Sequence, residues 1–571
     1  MKQLQRKIND LDNQPIQKYG MITGRYTDKD IVYNLYNVYG GTVKKCSAEI
    51  EIPKSRLFED IYVESDMTAI ASYIIREFYV NVRIKNDELR QSDQNKQKGY
   101  FCVYHTGQRV IPNNMVTIDE DAARIKLEIK LPINATALDG KLLAMSARVA
   151  SKQLSRRKKD VISAKSLGIL LMKNLPELVE SFIENFSESD LLRAVKLYRN
   201  QEYIRDYLKS RKLVSFIGNG SVLPRKGGSD FKNPRGAKAF MSPKTFEIEI
   251  KLPDDSVISG MGIKEGITVI LGDAYQGKST LLSAIYEGIY DHVTGDGREY
   301  VITCESALNI KAENGRGVQK TDISFYLKDV PESICDAVNF TTVCASGSTS
   351  QAAAVTEAVE SGCELMLFDE DNCANNFMYK EKRLREIFGK SSTVPFLDNA
   401  RSFYSKLGIS SIFAVGASAE YLDIADCAVV IRDYEVYEFS DYERVDYDER
   451  TIKLRPRVVD WASIRRPEVI NSISILDSRT LKLGYETIDV GNIIPNVSTG
   501  QMDFIACVLK KLITYYSTGG KSLRAAVEMC YAGIERNGGV PEAISSSDYF
   551  EYVRKYDIEQ ILYRCKSMRF R

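Results

Sequence analysis

An α/β fold with a mostly parallel sheet around a phosphate-binding loop is predicted by three features of this 571-residue chain. The apolar residues 266–271 predict a buried strand, and residues 279–292 predict a helix with one apolar side. From a strand at 246–250 to about residue 440, strands and helices alternate, as in a parallel sheet. The segment between the first strand and helix fits G-x-x-x-x-G-K-[ST] and consists of Gly272, Asp273, Ala274, Tyr275, Gln276, Gly277, Lys278, Ser279 and Thr280.

This segment predicts which groups would hold a nucleoside triphosphate. Backbone N–H groups of residues 272–280 and the positive end of the following helix would face the phosphates. Lys278 can reach the β- and γ-phosphates, and the Ser279 hydroxyl can ligate Mg²⁺. The alternative is a chance match in a glycine-containing turn, and the flanking strand and helix argue against it. We therefore expect ATP and Mg²⁺ as cofactors.

A second motif lies in residues 364–370, where four apolar residues precede Asp369 and Glu370. This is a Walker B pattern, in which a buried strand delivers Asp369 beside the phosphate loop to hold Mg²⁺ through water or Ser279. Glu370 would orient or polarise the attacking water. Lys278 and Glu370 are the predicted catalytic residues, and Ser279 and Asp369 are the predicted metal ligands.

A third motif, residues 345–351, precedes a predicted helix over 352–360 that leads into the Walker B strand. Small residues at a helix N-terminus make an anion site. Because the phosphate loop already serves one triphosphate, Ser346, Gly347 and Ser348 could serve the γ-phosphate bound by another subunit. The alternative is an ordinary serine-rich helix cap.

The order of these motifs resembles ATP-binding-cassette (ABC) ATPases, with Ser346-Gly347-Ser348-Thr349-Ser350-Gln351 standing where that family has its L-S-G-G-Q signature and residues 373–376 where it has its D-loop. More closely, the chain resembles the family described as predicted ATPases of the ABC class, which has no transmembrane domains. The similarity covers most of residues 200–435 and extends more loosely over both ends. The matching stretches are 219–228, 260–280, 294–303, 310–324, 345–352, 367–378 and 395–401.

The resemblance implies an ABC-type P-loop NTPase core with a mixed α+β N-terminal domain and a C-terminal extension. We expect boundaries at 1–210 for the N-terminal domain, 211–440 for the ATPase domain and 441–571 for the extension. The resemblance further implies a homodimer with two ATP molecules, each held between the Walker motifs of one subunit and the signature of the other. ATP binding would close this dimer and hydrolysis would open it.

The chain departs from the ABC pattern in three places. Neither of its two histidines, His105 and His292, lies in residues 412–420, where ABC ATPases have a γ-phosphate-sensing histidine, and Ser418 is a candidate substitute. Two residues, Glu313 and Gln319, are candidates for the Q-loop glutamine. In the phosphate loop, Gln276 stands where the closer family tends to have histidine and Asp273 where it has glycine. Slower or differently gated hydrolysis is one expected consequence.

Two further residues near the phosphate loop have open roles. Phe246 is a candidate for stacking on the adenine, with a core position as the alternative. Arg225 could reach a phosphate, or it could be a solvated loop charge. Both lie before the phosphate loop. Arg225 is within a loop at 219–242 that is rich in Gly, Pro, Lys and Arg, and Phe246 follows this loop.

Composition bounds the class of protein but not its substrate. A net charge of +1 excludes no partner, because local patches can still be strong. The sequence contains no apolar run long enough for a transmembrane helix and no secretory signal, so we expect a cytoplasmic protein. Its 11 cysteines are scattered without a C-x-x-C pair, and its two histidines make a zinc site or a histidine-based triad improbable.

Basic segments are the one clue to a larger partner. Residues 152–159 carry five positive charges, and further lysines and arginines cluster at 226–238 and 564–571. These patches could follow the backbone of RNA or DNA, and a solvated helix face is the alternative. An ATPase is therefore expected, and RNA or another nucleic acid is the candidate substrate. The other functions considered are a low-turnover, ATP-dependent clamp and a P-loop kinase, against which the signature and the Asp369-Glu370 pair argue.

Overall fold

The structure is a computed structural model that describes residues 1–40, 44–59, 62–92, 99–132, 134–135, 160–226, 232, 235–331, 333–389, 391–445, 450–452, 454, 457–516, 520–542 and 549–571. It divides into two compact units. The first comprises Met1–Thr106, Pro112–Ala194 and Ser545–Tyr549, and the second comprises Gly107–Ile111, Val195–Ile544 and Phe550–Arg571.

The first unit is built on an antiparallel sheet with the strand order β1-β2-β3-β7-β4, and with β6 also paired to β7. Apolar and polar residues alternate along 48–52 and 124–130, a pattern that predicts half-buried strands, and Ile50 lies opposite Ile125. The apolar residues among 67–78 predict a helix, which begins at Met67 and continues to Ser92. The strands in this part of the chain are β1 Gly24–Asp28, β2 Ile31–Gly40, β3 Lys44–Pro53, β4 Tyr100–Cys102, β5 Arg109–Val110, β6 Val116–Ile118, β7 Ala122–Lys130, β8 Asn134–Ala135 and β9 Asp160–Val161, and the helices are α1 Lys2–Asp10, α2 Met67–Ser92, α3 Ala164–Gly168, α4 Leu175–Asn185 and α5 Glu188–Ser210.

The second unit contains the sheet that carries the predicted site. Its strand order is β16-β19-β20-β13-β21-β22, and a separate antiparallel sheet has the order β11-β12-β10-β15. The strands up to residue 438 are β10 Leu213–Gly218, β11 Glu247–Lys251, β12 Val257–Lys264, β13 Ile267–Leu271, β14 Asp291–His292, β15 Val301–Thr303, β16 Leu308–Asn309, β17 Val318–Thr321, β18 Phe340–Thr342, β19 Leu365–Asp369, β20 Ser410–Val415, β21 Cys427–Arg432 and β22 Glu435–Glu438, and the helices are α6 Lys278–Glu287, α7 Gly347–Glu360, α8 Asn375–Met378, α9 Lys382–Phe388 and α10 Leu397–Leu407.

The register of this sheet brings the two Walker motifs to one edge. Strand β13 runs parallel to β20 with Leu271 opposite Val415, and β20 runs parallel to β19 with Ala414 opposite Asp369. Both faces of the sheet are covered by apolar side chains, which explains why these strands are continuous apolar runs. Because the carboxyl ends of parallel strands meet at one edge, the phosphate loop and Asp369 lie close together.

The helix predicted over 279–292 is shorter than the apolar pattern indicates, because α6 ends at Glu287. A Cβ on Gly288 would lie 2.7 Å from the carbonyl oxygen of Val301, so this position requires glycine. Beyond it, His292 pairs with Arg109 in a short antiparallel ladder. The buried side chains that suggested a longer helix therefore belong to a helix, a turn and a strand.

The C-terminal part of the second unit has its own apolar core, which includes Trp461. Helix α12, Thr499–Lys511, begins after its capping residue Ser498 and passes at Leu512 into a π-helical turn. Among the described residues, no helix has the length and apolar character needed to cross a bilayer. The remaining strands are β23 Val459–Asp460, β24 Ser474–Ile475, β25 Thr480–Leu483, β26 Glu486–Asp489 and β27 Arg569–Phe570, and the helices are α11 Pro467–Ile470, α12 Thr499–Lys511, α13 Leu523–Arg536 and α14 Lys555–Tyr563.

Candidate nucleotide-binding site

The phosphate loop connects β13 to α6 as a backbone cradle. Gly277 caps the helix with a φ of +106°, a conformation that favours glycine. The Lys278 ammonium donates a 2.8 Å hydrogen bond to the carbonyl oxygen of Asp273. A Cβ on Gly416, in the turn after β20, would lie 3.1 Å from the same ammonium nitrogen. Lys278 is thus held between the loop and this turn, where a phosphate could replace the carbonyl as its partner.

Asp369 ends β19 as a buried carboxylate beside the loop. Burial raises the pKa of Asp369, while a hydrogen bond with Ser279 acts to lower it. The Asn372 amide also donates to Asp369, at 3.3 Å. A hydroxyl and a carboxylate are the hard oxygen donors that Mg²⁺ prefers, and a cation here would offset the cost of burying the carboxylate. These residues therefore fit a Mg²⁺ site, and Ser279 and Asp369 would hold the ion.

Glu370 faces the turn that follows β20. Its Oε2 accepts hydrogen bonds from the backbone N–H groups of Gly416, at 2.6 Å, and Ala417, at 2.9 Å. The hydroxyl of Ser418, the candidate substitute for the sensing histidine, accepts from the Glu420 N–H at 3.2 Å. Glu370 is therefore positioned by the segment that carries the γ-phosphate sensor in ABC ATPases.

A wide cleft brings the predicted catalytic residues Lys278 and Glu370 together with Asp369, whereas Ser279 is not part of its lining. Its volume is about 770 Å³, and its lining includes Asp273, Lys278, Asp369, Glu370 and Asn376. Most of the residues around it are polar. This cleft is the place in the described structure where a triphosphate could contact both Walker motifs.

The predicted signature residues lie at the start of α7, outside the lining of this cleft. Ser346 is exposed and caps the helix, because its hydroxyl accepts from the Thr349 N–H. Gly347 opens the helix, and Ser348 is 3.5 Å from the Asn376 amide nitrogen. Within one chain, the signature therefore stands beside the cleft and does not close it.

The sequence places Gln351 at the end of the signature motif but does not predict that its side chain connects the signature helix to the D-loop segment. This side chain is fully buried, and its Oε1 accepts from the Ala374 N–H at 2.8 Å. Its Nε2 lies 3.4 Å from the Met378 sulfur. The final glutamine of the third motif was a signal in the sequence, but its partner could not be read from spacing.

The two Q-loop candidates contact the C-terminal extension. Glu313 forms an ion pair with Arg564, with Nε and Oε2 3.0 Å apart, and both side chains are 12% exposed. Burial disfavours the charge on Glu313, but Arg564 outweighs it and lowers the pKa of Glu313 to about 2. The Gln319 amide donates to the carbonyl oxygen of Lys566 at 3.3 Å. Neither residue lines the phosphate cleft.

A second cavity, of about 240 Å³, adjoins the phosphate loop on the side of α6. Gln276, Gly277 and Thr280 contribute to its wall, together with apolar residues of the 219–242 loop and of β21 and β22. Tyr434, in the turn between β21 and β22, also lines it, and no feature of the sequence singled this residue out.

The structure distinguishes between the alternatives given for Phe246 and Arg225. Phe246 packs against the apolar core and does not line either cavity, so it is not placed to stack on a base. Arg225 pairs with the buried carboxylate of Asp296 at 2.7 Å, and His292 contacts the same oxygen at 2.7 Å. The charge of Arg225 is therefore used inside the fold, because an unpaired buried carboxylate would be costly.

Comparison with known families agrees with this geometry. The model of the ABC ATPase P-loop domain matches residues 187–457. This region is similar to ABC-type P-loop ATPase domains. The predicted fold class, an α/β ABC-type core with flanking regions, is thereby confirmed. Residues 472–571 match the family described as the MRB1590 C-terminal domain, in agreement with a C-terminal extension.

One relative and two solved structures are each similar to part of the chain. The uncharacterised protein MJ1628 of Methanocaldococcus jannaschii is 32% identical over 282 residues, which are 46% of this chain and 61% of that protein. Two solved structures, cbiO1 of Clostridium perfringens from the ABC transporter complex cbiONQ and the ADP conformation of the ABC transporter cassette MJ1267, each cover 39% of this chain. The aligned region is 87% of the cbiO1 chain at 16% identity and 89% of the MJ1267 chain at 12% identity, and the TM-score is 0.24 for each. The similarity to ABC-type ATPases therefore rests on the family model and on the geometry of the site.

Proposed function

We propose that this chain hydrolyses ATP to ADP and phosphate, and that it does so as a head-to-tail homodimer. One observation carries the proposal. Lys278, Asp369 and Glu370 line an open cleft, while Ser346 at the start of α7 is exposed outside it. A second copy could close each cleft with its own signature helix.

The residues of the cleft support distinct chemical roles. Lys278 would neutralise charge on the β- and γ-phosphates, and backbone N–H groups of the loop would orient them. When bound, Mg²⁺ would supply charge neutralisation at the phosphate oxygens. Glu370 would accept a proton from the attacking water, once the water lies within hydrogen-bond reach of its carboxylate. The hydroxyl groups of Ser346 and Ser348 of a second copy would donate hydrogen bonds to oxygens of the γ-phosphate.

Complementation between two variants tests the shared site. Ser346→Arg places a bulky cation where the facing triphosphate would approach, and Lys278→Ala removes the phosphate contact, so each homodimer should be inactive. A mixed dimer keeps one intact site, formed by the phosphate loop of the Ser346→Arg subunit and the signature of the Lys278→Ala subunit. We expect each mixed dimer to show up to about half of the hydrolysis rate of a wild-type dimer, because one of its two sites is intact. Mixed dimers that form but show no recovered hydrolysis would contradict the shared site.

We propose nucleic acid, RNA foremost, as the substrate class on which the ATPase acts. The proposal is supported by the five positive charges in residues 152–159, which lie outside the described residues. In the other two basic clusters, at 226–238 and 564–571, several lysines and arginines form ion pairs. Lys238 pairs with Glu435, and Arg571 pairs with Asp460. The proposal therefore depends on residues 152–159 more than on the other two clusters.

Salt dependence separates this proposal from a protein partner. Replacing Arg156, Arg157, Lys158 and Lys159 with Ser should weaken RNA binding regardless of base sequence. It should also reduce the slope of log K against log salt by up to ~0.7 for each lost contact to a single strand. Binding measured with and without ATP also distinguishes an ATP-gated clamp from a constitutive binder. No binding of the intact protein to RNA or DNA at low salt would rule the proposal out.

A further inference from the structure

We propose that Tyr434 is the residue on which the nucleotide base stacks, and that the cavity beside the phosphate loop is a purine-binding pocket. The inference rests on the proposed function, because it assigns the base-binding part of the same ATP site. It also places base recognition on the hairpin between β21 and β22, which lies after the Walker B strand in the chain.

The backbone of this hairpin is unusual. Asp433 and Tyr434 form its turn with φ values of +50° and +66°. Hairpin turns with two positive φ angles favour glycine, asparagine and aspartate. In this conformation Cβ approaches the following carbonyl oxygen, which glycine avoids and which the short polar side chains of asparagine and aspartate offset with local hydrogen bonds. Aspartate tolerates it, but a tyrosine is an outlier. Such outliers concentrate at sites that bind ligands.

Two contacts hold the turn against the phosphate loop. The Asp433 N–H donates to Oε1 of Gln276 at 2.6 Å. A Cβ on Gly277 would lie 3.5 Å from Cδ1 of Tyr434, so the ring packs over the glycine that precedes Lys278. The tyrosine is therefore fixed next to the residue that begins the phosphate-binding helix, which is where the nucleoside end of a bound triphosphate would emerge.

The lining of the cavity suits a flat aromatic ligand. Leu223, Pro224, Phe240 and Val436 supply apolar walls, and Tyr434 is 62% exposed, so part of its surface is open to a ligand. No carboxylate is among the described residues that line this cavity. Bases stack on aromatic side chains through their π-faces, and the strength of stacking sets modest preferences among bases. The larger purine ring should therefore be favoured over a pyrimidine.

Equilibrium binding of Mg-ATP and of inorganic tripolyphosphate tests the proposal. Tyr434→Gly removes the ring and suits the positive φ, so the turn should persist. Tyr434→Phe keeps the stacking surface. Tyr437→Ala removes a tyrosine from the same hairpin that does not line the cavity, and it serves as the control. We expect Tyr434→Gly to weaken ATP binding about 5- to 100-fold and leave tripolyphosphate binding unchanged.

The remaining outcomes are separable. Tyr434→Phe should stay within about threefold of wild type, and Tyr437→Ala should match it. Wild-type affinity for ATP in Tyr434→Gly would overturn the stacking role while leaving the ATP site in place. Equal losses of ATP and tripolyphosphate binding would also overturn it, since the tyrosine would then act on the loop. A wild-type protein that binds neither ligand would refute the proposed function itself.

Discussion

The ion pair between Glu313 and Arg564 connects the ABC ATPase domain to the C-terminal extension, and breaking it should cost about 3 kcal/mol of unfolding free energy. The two side chains are 251 residues apart in the chain and almost buried. A fall in the pKa of Glu313 from 4.5 to about 2 corresponds to about 3 kcal/mol of interaction that favours its charged form. Removing Arg564 would leave the buried carboxylate of Glu313 without its main partner. Breaking a buried pair in this way typically lowers the free energy of unfolding by about 3–5 kcal/mol.

Urea unfolding of Arg564→Met measures this cost. The variant keeps an apolar stem while losing the charge, and the emission of Trp461, the chain's one tryptophan, reports on the C-terminal core. The double variant Glu313→Gln/Arg564→Met should be less destabilised than Arg564→Met, because it leaves no uncompensated charge. Arg571→Met is the control, since Arg571 and Asp460 are an exposed pair worth at most about 1 kcal/mol.

The free energy of unfolding should depend on pH in a direction that the pKa of Glu313 determines. Because folding lowers the pKa of Glu313, its stabilisation is complete above about pH 4.5 and is lost as the pH falls toward about 2. The difference in stability between wild type and Arg564→Met should therefore be largest near pH 7 and shrink on acidification. A difference below about 1 kcal/mol at pH 7, or one that grows as the pH falls, would refute the reasoning.

Three substitutions test other parts of the site. Lys278→Ala should weaken Mg-ATP binding by ~1.5–3 kcal/mol in calorimetry without shifting the unfolding midpoint, and an unchanged affinity would contradict the phosphate-loop role. Asp369→Asn should weaken Mg-ATP binding more than ATP binding in EDTA, so equal losses in the two titrations would argue against a metal ligand. Gln351→Leu leaves the Ala374 N–H without its partner, so stability should fall by ~1–3 kcal/mol and turnover should fall at unchanged ATP affinity. Wild-type turnover in Gln351→Leu would show that this link does not position the signature.

The parts of the site that the sequence predicts are those formed by neighbouring residues. Residues 266–280 combine an apolar strand, a glycine-containing loop and the start of a helix. The groups that form the phosphate cradle are therefore close together in the sequence. Asp369 could be placed beside this loop because parallel strands bring their carboxyl ends to one edge. The roles of Lys278, Asp369 and Glu370 remain predictions, and substitution of each residue tests them.

Contacts between distant segments account for what the sequence could not predict. Gln276 and Asp433 are 157 residues apart, so no local pattern shows that the β21–β22 hairpin borders the phosphate loop. Phe246 was a reasonable stacking candidate by position, but its ring is used by the core. Gly288, which follows the end of α6 at Glu287, approaches the carbonyl oxygen of Val301, a residue outside the window of the helical pattern.

Phosphate release from Mg-ATP, measured side by side for the wild type and Glu370→Gln, tests the central claim most directly. Glutamine keeps the shape of the side chain and loses the capacity to accept a proton. The account predicts Mg²⁺-dependent release by the wild type, and a loss of at least ~100-fold in Glu370→Gln with ATP binding retained. Equal phosphate release by the two proteins, or ATP binding without release by the wild type, would contradict it.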